Sequence, residues 1–295
     1  MTFLRVLTLV CLVSSAALQG ETAPQNDAIS EDVGVIAFQS GRSGTTQIHV
    51  MKVDGSDVHQ VTNDPATNTG PTLSPDGATI AYVSSRDGND KIYIIDTGGG
   101  NPRRLTKTTG NESDPTWSPD GKRIYYRRMI DNEKVAIFSI NTDGSGDHQL
   151  TDGSVRFLGL SVSPDGGKML STARGGIEVW VMNSDGSTAN CIARKSEMVL
   201  YPRWSPDGRK IVYGKMIGFP PNHKTQICVM NSDGSGDVAL TDAGSISEYP
   251  CWSPDGRQIA FQTSRDGNFE IYTMKAEGSE LRRLTNHASL DGRPS

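Results

Sequence analysis

The sequence predicts an all-β fold, a six-bladed β-propeller of four-stranded antiparallel blades, and three observations carry that expectation. The tetrapeptide Ser-Pro-Asp-Gly occurs five times, beginning at Ser74, Ser118, Ser163, Ser205 and Ser253. The serines lie 44, 45, 42 and 48 residues apart, the spacing of one propeller blade per repeat. Around each tetrapeptide, short β-like runs follow one another in a constant order.

Strand A of each repeat reads as residues 115–118, 202–205 or 250–253. The tetrapeptide then turns the chain. Proline presets the first corner of a type I turn, aspartate suits the second, and glycine accepts the left-handed conformation of a tight hairpin. Asp76, Asp120, Asp165, Asp207 and Asp255 therefore read as turn residues rather than catalytic carboxylates. Strand B follows as Ile80-Ala81-Tyr82, Ile124-Tyr125-Tyr126, Ile211-Val212-Tyr213 or Ile259-Ala260-Phe261, and strand C as Ile92-Tyr93-Ile94-Ile95, Val179-Trp180-Val181-Met182 or Ile271-Tyr272-Thr273-Met274. Strand D is brief and ends in Leu105-Thr106, Leu150-Thr151, Leu240-Thr241 or Leu284-Thr285. Strand C is apolar on both faces, as a sheet covered by two neighbours requires. Radial stacking supplies both covers and leaves only short, protected edges.

The first blade lacks the tetrapeptide but shows strand B in Ile36-Ala37-Phe38, strand C in Ile48-His49-Val50-Met51 and strand D in Val61-Thr62. Its missing inner strand can come from Arg293-Pro294-Ser295, which would pair the chain's two end segments and close the ring. Ile29-Ser30-Glu31-Asp32 is the rival. Either choice gives six blades.

Trp117-Ser118-Pro119-Asp120-Gly121, Ile259-Ala260-Phe261, Ile271-Tyr272 and Arg283-Leu284-Thr285 resemble the repeats of the TolB-like β-propeller family, also described as WD-like. The resemblance spans about residues 33 to 295, the propeller alone, without the sizeable domain that precedes it in the family's namesake. It implies the fold and leaves the role open, since these repeats serve many functions.

Residues 1–17 read as a cleaved export signal: Arg5, an apolar run over residues 7–13 and Ser15-Ala16-Ala17. Residues 18–32 then form a short linker and 33–295 the propeller. The apolar run is shorter than a membrane-spanning helix needs, so a periplasmic or secreted monomer with no transmembrane segment is expected. Charged residues make up 21% of the chain and the net charge is -5, which leaves no basic footprint for nucleic acid. Cys191, Cys228 and Cys251 remain after the signal, an odd number, and no Cys-x-x-Cys pair or histidine cluster suggests zinc.

The A–B and C–D turns share one face of a propeller, and the B–C and D–A connections share the other. The second face varies between repeats, and binding residues ride on variable loops held by a rigid scaffold. Three sets of candidates lie on it. Arg42, Arg86 and Arg265 hold one B–C position in neighbouring blades and could accept carboxylates, the alternative being solvated side chains. The long fifth-blade connection contains Met216, Ile217, Phe219 and Pro220, an apolar patch that suggests a partner unless it folds back over the ring. Asp64, Glu112, Asp114, Glu248 and Asp291 enter hub-directed segments and could gather a cation such as calcium at the channel mouth. The expected function is a non-catalytic module, without a cofactor, that binds another protein or a cell-envelope component. The alternatives are sugar or calcium binding in the central channel and, less favoured, catalysis.

Overall fold

The structure, a computed structural model, describes residues 34–131 and 134–295. Its strands form six four-stranded antiparallel sheets, each with its innermost strand at the hub. The only helical segment among the described residues is a short 3-10 turn at Arg174–Gly176. The export signal, the linker and the rival strand Ile29-Ser30-Glu31-Asp32 lie outside the described residues.

The Ser-Pro-Asp-Gly turns form as expected, and the serine has a part that turn propensity alone did not suggest. In the second blade Gly77 N–H donates to the Ser74 carbonyl at 2.8 Å. The Ser74 hydroxyl donates to Asp76 and accepts from Thr79 N–H at 2.9 Å. The same hydroxyl bonds recur at Ser118, Ser163, Ser205 and Ser253. The turn glycines have φ between 68° and 73°, the region a Cβ disfavours.

The ring closes through the C-terminal segment. Gly292 and Asp291 lie opposite Gln39 and Ser40, and Ala37 and Ser295 exchange backbone hydrogen bonds of 3.0 and 2.9 Å. The apolar core lies between blades. In the second blade's strand C (Lys91–Asp96), Ile92 packs with Ile124, Tyr126 and Phe138 of the third blade, while Tyr93 and Ile95 pack with Ile48 and Val50 of the first. Phe38, Tyr82, Tyr126, Tyr213 and Phe261, all from strand B, are among the largest fully buried side chains.

Strand A begins earlier than its sequence suggests. It runs over Glu112–Trp117, Val199–Trp204 and Ser247–Trp252 rather than starting at the prolines. Each has a register shift just ahead of the proline, between Ser113 and Thr116, Leu200 and Arg203, and Glu248 and Cys251. The residue before proline is kept out of the right-handed helical region. Here it takes positive φ and bulges the strand. A proline preceded by a bulge looks like the end of a loop, so the D–A connections are shorter than they read.

Candidate functional site

The hub is built from one position repeated six times. Gly70, Asp114, Gly159, Tyr201, Tyr249 and Arg293 occupy the bulge of successive inner strands, with φ of 58°, 52°, 64°, 52°, 52° and 50°. All six line one cavity of about 70 Å³. Glycine suits this conformation; a residue with a Cβ is disfavoured there by about 1–2 kcal/mol. Four of the six positions nevertheless carry side chains, and backbone strain of this kind collects at functional sites. Tyr201 and Tyr249 stack with ring centres 3.7 Å apart and share a hydroxyl hydrogen bond of 2.7 Å. The Arg293 guanidinium covers the Tyr249 ring at 4.6 Å. Asp114 pairs with Arg127 at 2.5 Å.

Arg203 and Cys251 also line the cavity. Burial pulls the Arg203 guanidinium below its ordinary value, with Asp114 acting the other way, and pushes the Cys251 thiol up to about 12. Among the described residues Cys191, Cys228 and Cys251 are free. Cys228 is a buried core residue as its apolar strand implies, whereas Cys251 borders the hub.

The expected arginines and acids meet one another more than they face outward. Arg42 binds Asp291 at 2.6 Å and Arg86 binds Asp64 at 2.8 Å. Each guanidinium also lies over an aromatic ring, Arg42 on Phe38 and Arg86 on Tyr93. Arg265 lies over Tyr272 at 5.1 Å but has no carboxylate partner among the described residues. Its blade has Ala243 and Ser247 where the second blade has Asp64 and Asn68.

The five acids do not converge. Glu112 is 1% exposed and accepts from Thr106, Thr108 and Ile92 N–H, which fixes the D–A connection. Asp291 is fully buried, and burial raises its carboxyl while Ser40 and Arg42 pull it down. Glu248 is likewise raised by burial, against the pull of His223 and Arg293. Only Asp114 lines the hub cavity. Among the described residues no group of three or more His, Cys, Asp or Glu side chains is set to hold a metal ion.

The fifth-blade hairpin stands further out than its counterparts. Its strands Lys210–Ile217 and Lys224–Asn231 have eight residues each, against six for strands B and C in the second blade. Met216 and Ile217 are half-buried on the strand, whereas Phe219 at the tip is 86% exposed and Pro220 is exposed. Phe219 does not fold back over the ring. Where the tip loop returns to its second strand, the His223 Nδ1 is buried without a hydrogen-bond partner.

Sequence reasoning missed Arg203, Arg293, Tyr201 and Tyr249. A signal was present: in five blades the hub residue stands directly before Pro71, Pro115, Pro202, Pro250 or Pro294. Aligning on that proline exposes the column.

Six closed blades around a lined hub define a β-propeller protein. The TolB beta propeller domain family matches residues 19–178 and 171–295, and the chain belongs to that family. TolB from Acinetobacter baumannii is similar over 88% of this chain and 66% of its own, at 21% identity and a TM-score of 0.77. This chain thus spans about two thirds of that protein's length. The structure of a putative TolB from Agrobacterium tumefaciens matches 88% of this chain and 90% of its own, at 19% identity and a TM-score of 0.67. An oligogalacturonate lyase from Vibrio parahaemolyticus matches 85% of this chain and 72% of its own, at 14% identity and a TM-score of 0.55. At these identities the likenesses establish the fold, which serves binding proteins and enzymes alike. No helix among the described residues is long and apolar enough to cross a membrane.

Proposed function

We propose that the protein is an exported, non-catalytic scaffold that holds another protein or a cell-envelope component on the face of its B–C and D–A connections. The observation that carries this reading is Phe219, 86% exposed at the tip of the longest hairpin. A large apolar side chain offered to solvent on a rigid stalk is the kind of anchor that interfaces bury. The opposite face is occupied by near-identical turns whose polar groups bond internally.

Replacing residues 218–223 by Asn-Gly, which favours a two-residue hairpin, removes the tip and keeps Ile217 paired with Lys224. The variant is expected to melt like the parent and to lose a cross-linked envelope partner. An unchanged partner set refutes the role of the hairpin.

A further inference from the structure

The geometry points to a carboxylate-binding subsite in the hub, formed by Arg293 and Arg203. The inference stands apart from the fifth-blade hairpin, since it concerns the channel. The ring itself supplies the template. Three times an arginine is backed by an aromatic ring and closed by a carboxylate: Arg42 on Phe38 with Asp291, Arg86 on Tyr93 with Asp64, and Arg128 on Phe138 with Asp147. Arg293 repeats the first half of that arrangement on Tyr249. The second half is missing.

Arg203, which lines the same cavity, donates to the Leu160 carbonyl, and no ion pair occupies it. Of the acidic side chains nearby, Asp114 is already bound to Arg127 and acts on Arg203 only at longer range, and Glu248 lies outside ion-pair distance of Arg293. The described hub therefore presents two guanidinium groups without an ion-pair partner inside a concavity of about 70 Å³. A planar two-oxygen group matches the guanidinium fork, and partial enclosure strengthens the attraction relative to an exposed pair.

Position argues in the same direction. Gly70 and Gly159 show that glycine is accommodated at the hub bulge, yet Tyr201, Tyr249 and Arg293 hold left-handed backbone there. The Tyr201–Tyr249 stack fixes the surface on which Arg293 rests, which preorganises the guanidinium for its ligand. The carboxylate comes either from a free small acid or from the C-terminus of a peptide entering the channel.

Titration of the whole protein with sodium acetate, against sodium chloride at matched ionic strength, tests this through the arginine Nε–H signals in NMR spectra. The signals of Arg203 and Arg293, assigned with Arg203→Lys and Arg293→Lys, are expected to shift saturably while that of Arg86 stays. Arg293→Gln should weaken the response at least tenfold, and Arg209→Gln, exposed on the turn face, should leave it unchanged. An N-acetylated tetrapeptide with a free C-terminus, compared with its amide, separates the sources. Binding at least tenfold tighter than acetate, lost in the amide, assigns a peptide terminus; equal affinity assigns a free acid. No saturable shift at Arg203 and Arg293, or a response that survives Arg293→Gln, overturns the subsite.

Discussion

The two faces of the ring are built from the same repeats and differ in where their side chains spend their hydrogen bonds. On the A–B and C–D face, Ser-Pro-Asp-Gly hydroxyls and carboxylates bond within their own turns. Asp-Gly turns there also abut the preceding blade: a Cβ on Gly186, at φ +86°, would lie 2.2 Å from the Leu150 carbonyl oxygen. On the opposite face, length and residue type change from blade to blade, and the fifth hairpin leaves Phe219 uncovered. Uniformity marks the structural face, and departure from uniformity marks the face on which partner binding is proposed.

Substitutions can break this contrast, and the largest effect belongs to neither face but to the seam. Removing residues 291–295 takes away the Asp291 and Gly292 pairing, the Ala37–Ser295 bonds and the Arg42 ion pair. At about 1 kcal/mol per net hydrogen bond, and with a bare strand edge at Val35–Ser40, several kcal/mol should go. Chemical denaturation measures the loss, and aggregation should accompany it. Gly186→Ala should cost about 3 kcal/mol by overpacking against Leu150 and by backbone strain, read in the same way.

The core responds to acid. Burial holds His49 neutral and lowers its value from 6.5 to about 4, opposed by its bond to the Gln47 carbonyl. Because the unfolded chain takes up this proton first, stability is complete above pH 6.5 and falls as pH drops toward 4, by up to about 3 kcal/mol. Melting curves across that window should show the slope, and His49→Gln should flatten it. Asp291 and Glu248, whose carboxyls are raised, work in the opposite sense: they favour the folded state as pH falls through the range above ordinary carboxylates.

Smaller changes separate the faces. Ser163→Ala removes the hydroxyl that bonds Asp165 and Lys168 N–H, which should lower stability by about 1 kcal/mol and leave partner capture intact. Phe219→Ala should move stability by less than about 0.5 kcal/mol, since the ring is already in water, and should weaken partner binding at least tenfold.

The fold was legible because its information is periodic and local. One turn phrase counts five blades, and Ile36-Ala37-Phe38 and Ile48-His49-Val50-Met51 supply the sixth. The choice between Arg293-Pro294-Ser295 and Ile29-Ser30-Glu31-Asp32 as inner strand required the pairing of Ala37 with Ser295. The site was less legible for two physical reasons. Ion pairs such as Arg42–Asp291 join residues at opposite ends of the chain, and no local pattern records them. The hub column changes residue type at nearly every blade, from Gly70 and Asp114 to Tyr201 and Arg293, so only its backbone conformation repeats.

The central claim is that the uneven face carries the binding. The most direct measurement is quantitative cross-linking capture by three proteins: the parent, Phe219→Ala, and a turn-face variant with Lys122→Glu and Arg209→Glu. The account predicts that Phe219→Ala loses the partner while the turn-face variant retains it, with both folded. Retention by Phe219→Ala and loss by the turn-face variant would contradict it.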